Sequence, residues 1–329
     1  MKSFLSKLIL SYLLCTASVS GQYINNEPFA HTYSIVAYDP HTGDMGIAVQ
    51  SHWFSVGTSV SWGEAGVGLV ATQAVVNFSF GPRGLAMLKE GIKPQIILDS
   101  LLKTDPMRDM RQVAIMDNQG NIAVSTGKNC VRAAGHSKGQ FYSVQANLVQ
   151  NPEVWKKMSQ AYENTNGALG ERLLAALQAA EDAGGDIRGS QSASLLIVRR
   201  NPTGKIWLDR KVDLRVDDSE APLKELKRLY NVRMAYENSN LGNYHLMKGN
   251  KEEAHQYYRA AQKLYPQNGE MLFWYAVELA NAGDEKAVGI FKEVFAINDN
   301  WQTVVLPRII EAGILNAKAD LINKISIIK

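Results

Sequence analysis

Thr32 heads an apolar run, Thr32 to Tyr38, and a threonine in that position is a candidate for chemistry if polar groups reach its hydroxyl. The run is followed by Asp39-Pro-His-Thr-Gly-Asp44 and then by a second apolar run, Met45 to Val49. The linking segment is turn chemistry, because Pro presets φ and Gly permits positive φ. Side chains alternate along a strand, so Thr32, Ser34 and Val36 share one face. If Tyr38 faces Met45 across the turn, Thr32 faces Ser51; a one-residue slip brings Gln50 or His52 there instead. Ser51 and His52 are adjacent, so their side chains point to opposite faces and cannot form a simple Ser–His dyad. One of the two faces Thr32, and Ser34 and Gln50 are candidate substrate contacts beside it.

Other polar residues stand at element ends. Asn77 precedes a helix whose first turn carries Pro82, and it serves either as a cap or as a substrate contact. Arg83, in the same turn, suits a substrate carboxylate or a surface ion pair. Asn147 ends a strand shortly before Pro152 and suits an oxyanion or a turn. Asp186 and Arg188 follow the helix-ending pair Gly184-Gly185, as a local ion pair or as substrate-binding groups; Gln191 and Ser192 open the next strand and can line the same cleft. The six His residues are scattered, with no His-Glu-x-x-His and no Cys-x-x-Cys, so neither a metal nor another cofactor is expected.

The elements that must position these residues follow from periodicity. Strand-like runs are Val56–Trp62, Gly66–Val75, Arg111–Asp117, Asn121–Thr126, Phe141–Asn147, Ser192–Val198 and Ile206–Leu214. Helical spacing covers Leu85–Gly91, Pro94–Leu102, Pro152–Glu163 and Leu169–Ala183. Strands and helices are grouped rather than alternating. That predicts antiparallel sheets with helices outside, an α+β sandwich, over a parallel doubly wound fold.

Residues 1–20 resemble a secretory signal: Lys2 and Lys7, an apolar run from Leu8 to Leu14, and small Ser18 and Ser20. The run is too short to span a bilayer, which takes about 20 residues, so no stable membrane insertion is expected. Residues 21–31 read as a linker. Loss of Lys2 and Lys7 takes the net charge from +3 to about +1, which is no footprint for nucleic acid. Beyond Cys15 only Cys130 remains, and a lone cysteine of this kind reads as a small buried side chain. The expected location is outside the cytoplasm, periplasmic or extracellular.

After Asp218 the pattern becomes wholly helical and a repeat appears. Counted from Ala235, Leu241-Gly242, Ala254, Tyr258 and Pro266 fall on tetratricopeptide positions, although Asn238 sits where Trp is usual. A second copy starts near Gly269, with Tyr275, Ala276, Ala287, Phe291 and Val294. Residues 219–329 are therefore expected to form a tetratricopeptide-like region that can meet a protein or cell-wall partner.

Seven motifs, in order, carry a resemblance. They are Thr-Tyr-Ser-Ile-Val-Ala at 32–37, Gly-Ile-Ala-Val-Gln-Ser-His-Trp at 46–53, Gly-Val-Gly-Leu-Val-Ala-Thr-Gln at 66–73 and Phe-Gly-Pro-Arg-Gly-Leu at 80–85. Then come Tyr-Ser-Val-Gln-Ala-Asn at 142–147, Gly-Asp-Ile-Arg-Gly-Ser-Gln-Ser-Ala at 185–193 and Val-Asp-Leu-Arg-Val-Asp-Asp at 212–218. Over residues 32–218 the chain resembles the bacterial family called domain of unknown function 1028, itself similar to N-terminal-nucleophile (Ntn) hydrolases with a four-layer αββα sandwich. The resemblance implies Thr32 as nucleophile, its own α-amine as base, and an Asn or Gln with backbone N–H groups at the oxyanion. Ser51, His52 and Asn147 would be its catalytic neighbours. The substrate would be a small-molecule or peptide-like amide. Many members begin Met-Thr, whereas here His31 precedes Thr32, so a cut between them is required. The alternative is a non-catalytic exported module that binds a ligand in the cleft or a protein through the repeats.

Overall fold

The computed structural model describes residues 29–328. The expected signal and all but the end of the expected linker lie outside them. The first unit starts with β1 (Phe29–Ala30), β2 (Thr32–Tyr38), β3 (Met45–Ser51), α1 (Val56–Val60), β4 (Ser61–Glu64) and β5 (Gly68–Val75). Helices α2 (Phe80–Lys89) and α3 (Pro94–Lys103) follow, then β6 (Arg111–Asp117), β7 (Ile122–Thr126), β8 (Gly135–Gly139) and β9 (Tyr142–Ala146). It closes with α4 (Glu153–Asn164), α5 (Leu169–Asp182), β10 (Ser192–Val198), α6 (Ile206–Asp209) and β11 (Arg210–Val216).

These strands form two sheets with antiparallel neighbours throughout. One runs β1-β5-β6-β7, with β4 also on β5; the other runs β11-β10-β3-β2-β9-β8. Period-two alternation sends Val36, Ile47 and Val49 toward Leu69, Ala71 and Met116 of the facing sheet. Tyr33, Ile35 and Ala48 point the other way, onto Leu173 and Leu177 of α5 and Met158 of α4. Val70, Val113 and Ile115 pack under Phe80 and Leu85 of α2 and Ile97 and Leu101 of α3. The layers are thus helix, sheet, sheet, helix. Burying each such aliphatic side chain contributes up to about 1.5–3 kcal/mol.

Three local expectations change. The run Val56–Trp62 splits into α1 and β4. Ser55, at φ 51, turns the chain. Val56, Ser59 and Val60 then bury one helical face. A Cβ at Gly57 would lie 2.6 Å from Ser194 Cβ, so glycine lets this short helix sit on β10. The run Ile206–Leu214 likewise splits into α6 and β11. The edge strand β8, Gly-His-Ser-Lys-Gly, has no apolar alternation that would reveal it.

The remaining chain is helical: α7 (Pro222–Met247), α8 (Lys251–Leu264), α9 (Glu270–Asn281), α10 (Lys286–Ile297), α11 (Leu306–Glu311) and α12 (Ala319–Ser326). Among the described residues no helix is long and apolar enough to cross a membrane. Helix α7 serves both units. Its Leu223, Leu226 and Tyr230 join the core over the six-stranded sheet. Ala235 packs with Ala261 and Met271 in the repeats. A boundary at 218 therefore falls just before a helix that both units share. The repeat positions pack as their residue types require: a Cβ at Gly242 would come 2.9 Å from Tyr258, whose ring stacks on Tyr275 at 4.3 Å.

Candidate active site

Thr32 sits where the chain passes from one sheet to the other. Residues 29–30 lie antiparallel on the edge of β5, Phe29 opposite Val75 and Ala30 opposite Ala74. His31 makes the crossing, and β2 begins. The last residues of the expected linker are thus part of the fold, with Ala30 and His31 buried. The β2–β3 register runs from Tyr38 opposite Met45 to Thr32 opposite Ser51, without the one-residue slip that the sequence also allowed.

The peptide bond ahead of Thr32 is densely engaged. The His31 carbonyl accepts hydrogen bonds from Ser51 Oγ at 2.5 Å and Arg188 Nη2 at 2.8 Å. The Thr32 hydroxyl donates to the Ala30 carbonyl at 2.6 Å. The Thr32 carbonyl accepts from the Asn147 N–H at 3.0 Å and from Gln73 Nε2 at 3.2 Å. His31 Nδ1 meets Asn147 Oδ1 at 2.8 Å. Burial lowers the His31 pKa below its ordinary value, against the raising effect of the Asn147 hydrogen bond, so the imidazole is neutral at pH 7.

A buried amide network fixes which atoms face His31. Gln112 Nε2 lies within 3.1 Å of the carbonyls of Gly135 and Ala146, which can only accept. Its Oε1 therefore faces the interior and accepts from Gln73 Nε2 at 2.7 Å and Asn147 Nδ2 at 2.9 Å. With Nδ2 so committed, Asn147 turns its Oδ1 to His31, and His31 must present Nδ1–H to it. Ser34 extends the network inward, donating to Gln73 Oε1 and accepting from Gln145 Nε2, both at 2.6 Å. It is fully buried and holds Gln73 in place.

Asp186 aims Arg188. Its Oδ1 accepts from Arg188 Nε at 3.0 Å and its Oδ2 from Nη2 at 2.6 Å, leaving Nη2 to reach the His31 carbonyl as well. The β5–β6 end beneath β1 is braced by a second, buried pair. Arg111 Nε donates to Asp105 Oδ2 at 2.8 Å, and its Nη1 donates to the Val75 carbonyl at 2.6 Å. Burial pushes the Asp105 carboxyl up, but hydrogen bonds from Arg111, the Met107 N–H and Asn77 outweigh it and hold the carboxyl below the usual range.

Thr32, Ser51, Asn147 and Arg188 are thus brought together around one peptide bond. Ser34 stands behind them in the amide network, buried as a support for Gln73, and the remaining expected residues are placed elsewhere. The His52 side chain is exposed, and the residue's backbone N–H donates to Asp186. Gln50 lies opposite Tyr33, on the helix side of the sheet, buried and with no hydrogen-bond partner for its amide. Asn77 caps the approach to α2, accepting from the Ser79 N–H at 3.0 Å. Arg83 is exposed, 6.0 Å above the Phe80 ring, and lines a separate cavity of about 280 Å³ with Asn77, Asp105 and Arg111. Gln191 donates to Asp218, and Ser192 donates to the Trp53 carbonyl next to α1. A larger cavity, about 790 Å³, lies between Trp62, Ile206 and Arg215. None of Thr32, Ser51, Asn147 or Arg188 lines it.

Sequence reasoning missed His31, Gln73 and Gln112 as members of the site. A glutamine inside an otherwise apolar strand was the available signal for the last two. Cys130 is buried, and burial pushes its thiol up to about 11. Alkylation by iodoacetamide at pH 8 is expected to be much slower than for a free thiol and to quicken as pH rises toward that value; rapid labelling at pH 8 would contradict this environment.

The family model "Family of unknown function (DUF1028)" matches residues 32–226, and a tetratricopeptide model matches residues 235–268. A crystal structure of a DUF1028 protein from Silicibacter pomeroyi is similar at 31% identity and a TM-score of 0.56, covering 61% of this chain and 85% of that one. Anbu, an ancestral β-subunit from Yersinia bercovieri, aligns at 9% identity with a TM-score of 0.31, over 60% of this chain and 93% of that one, a likeness too slight to bear on fold or function. No curated protein matches.

Proposed function

The chain belongs to the family of unknown function DUF1028, and from that footing we propose that it is an exported amide hydrolase of the Ntn type, with Thr32 freed as nucleophile by a cut between His31 and Thr32. One observation carries the reading: the carbonyl that must be attacked already accepts Ser51 Oγ and Arg188 Nη2. Two donors on a carbonyl oxygen, one of them cationic, stabilise the negative charge that grows there during attack.

The cut balances without a further reagent. Thr32 Oγ1 bonds to the His31 carbonyl carbon, the C–N bond breaks, and the hydroxyl proton goes to the departing nitrogen. Water then hydrolyses the ester, leaving a His31 carboxylate and a Thr32 with both hydroxyl and α-amine free. In turnover the amine takes the hydroxyl proton as Oγ1 attacks a substrate amide. Ser51 and Arg188 again face the oxyanion, and Asn147 and Gln73 fix the Thr32 backbone.

Ser51→Ala is expected to slow the cut by about 10²-fold, the usual effect of removing one oxyanion donor. The check is a time course of chain mass in purified protein, and an unchanged rate would remove Ser51 from the mechanism. The non-catalytic reading draws support from the Thr32 hydroxyl, which in the uncut chain is committed to the Ala30 carbonyl. Under that reading the leading residues stay in place for good, and the helical repeats, a protein-interaction fold, carry the function.

A further inference from the structure

We propose that residues 29–31 lie in the site as a substrate does, and that the substrates are extended peptides whose residue before the cut carries a hydrogen-bond donor. This rests on the Thr32 reading and adds the substrate class to it.

Three features make the leading segment a template. Its backbone is already paired as a short strand on β5, the manner in which a binding site takes an extended peptide onto a sheet edge. Its last carbonyl meets Ser51 and Arg188 at 2.5 and 2.8 Å. Its last residue is nearly enclosed, at 6% exposure, and the ring ends on Asn147 Oδ1. Departure of the segment after the cut uncovers the β5 edge, the two carbonyl donors and the slot together, in the register a new peptide needs to place its carbonyl beside Thr32 Oγ1.

The slot is selective because it cannot reverse. The backbone carbonyls of Gly135 and Ala146 orient Gln112, Gln112 orients Asn147, and Asn147 therefore offers an acceptor. A neutral histidine, asparagine, glutamine or serine can donate to it. Leucine leaves a buried acceptor unpaired, and glutamate sets two acceptors against each other. The same geometry makes the product a ligand: a peptide ending in a histidine carboxylate keeps both donors and gains charge opposite Arg188.

Turnover of such a peptide balances in the same way as the cut. Thr32 Oγ1 bonds to the acyl carbon, its proton passes through the α-amine to the leaving amine, and water releases the peptide acid.

The test uses the exported chain that starts at Thr32, verified by mass. Acetyl-Phe-Ala-His and acetyl-Phe-Ala-Leu aminocoumarin amides are compared for kcat/KM, and the two free acids are compared as competitive inhibitors. The expected result is a preference for His over Leu of about tenfold or more in both measurements. Asn147→Leu is expected to lose that preference; because this variant can also disturb Thr32, the peptide series on the unaltered chain decides the matter. Equal turnover of the two amides would overturn the slot and leave Thr32 as nucleophile. Failure to turn over or bind either peptide would overturn the peptide class, with the nucleophile still supported by the chain's start. A protein whose chain does not start at Thr32 would remove the underlying reading as well.

Discussion

Thr32→Ala is expected to leave the chain uncut ahead of residue 32 and to lower amide turnover by about 10³-fold or more. On the proposed reading Thr32 Oγ1 is the atom that bonds to the acyl carbon in both the cut and turnover, so no neighbour replaces it. Ser51 Oγ is already spent as a donor to the carbonyl oxygen. The fold should survive. The substitution removes one hydroxyl and one methyl from a buried strand end, a loss of about 1–2 kcal/mol spread over a core with many other contacts. Circular dichroism and the melting temperature check survival, and chain mass and turnover check the chemistry. Thr32→Ser keeps the hydroxyl and should still be cut. A Thr32→Ala chain that is cut, or that turns over amides as before, would sink the assignment.

Arg111→Ala is expected to destabilise the first unit by about 3–5 kcal/mol, because it strands a buried carboxylate. Both side chains of the Arg111–Asp105 pair are nearly inaccessible, at 1% and 4%. Arg111 also ties the Val75 carbonyl, at the β5 residue that receives Phe29. The sign with pH follows from the Asp105 carboxyl, whose folded-state pKa lies below its ordinary value. Its stabilisation is present above the unfolded-state pKa and is lost as pH falls through the folded-state pKa. In the variant the stranded carboxyl protonates more readily, so the deficit relative to the parent should narrow on acidification. Denaturant unfolding at pH 7 and near pH 4 measures both. Adding Asp105→Leu to Arg111→Met should recover much of the loss, since an apolar replacement has no charge to desolvate. A loss under 1 kcal/mol for Arg111→Ala would mean that the pair does not brace the sheet.

The hairpin at the heart of the site was legible because its information is local. The turn at Pro40 and Gly43 between two apolar runs brings Thr32 to the end of the second run, opposite Ser51 or one residue to either side, and the structure selects Ser51. The layers were legible from grouped strands and helices, and the repeat from Gly242, Ala254, Tyr258 and Pro266. What escaped depends on distant partners. Val56–Val60 is apolar enough for a strand, and the close approach of Gly57 to Ser194 that accommodates it as a helix on β10 is a contact between residues far apart in sequence. Gln73, Gln112 and Asn147 are far apart in sequence and meet only because β5, β6 and β9 end at one place. His52, though next to Ser51, turns away from Thr32, since alternation along a strand separates neighbours as firmly as it unites residues two apart. Ser192 lies opposite Ser51 on the far side from β2, one strand further from Thr32, and bonds to the Trp53 carbonyl. His31 reads as the end of a linker because its role lies in a carbonyl and a buried ring contact, neither of which a residue type announces.

The most direct test is the intact mass and N-terminal sequence of the mature protein as its native host makes it. A chain that starts at Thr32 is the expected result. A chain that starts near Gly21 and keeps His31–Thr32 intact through purification and incubation would contradict it.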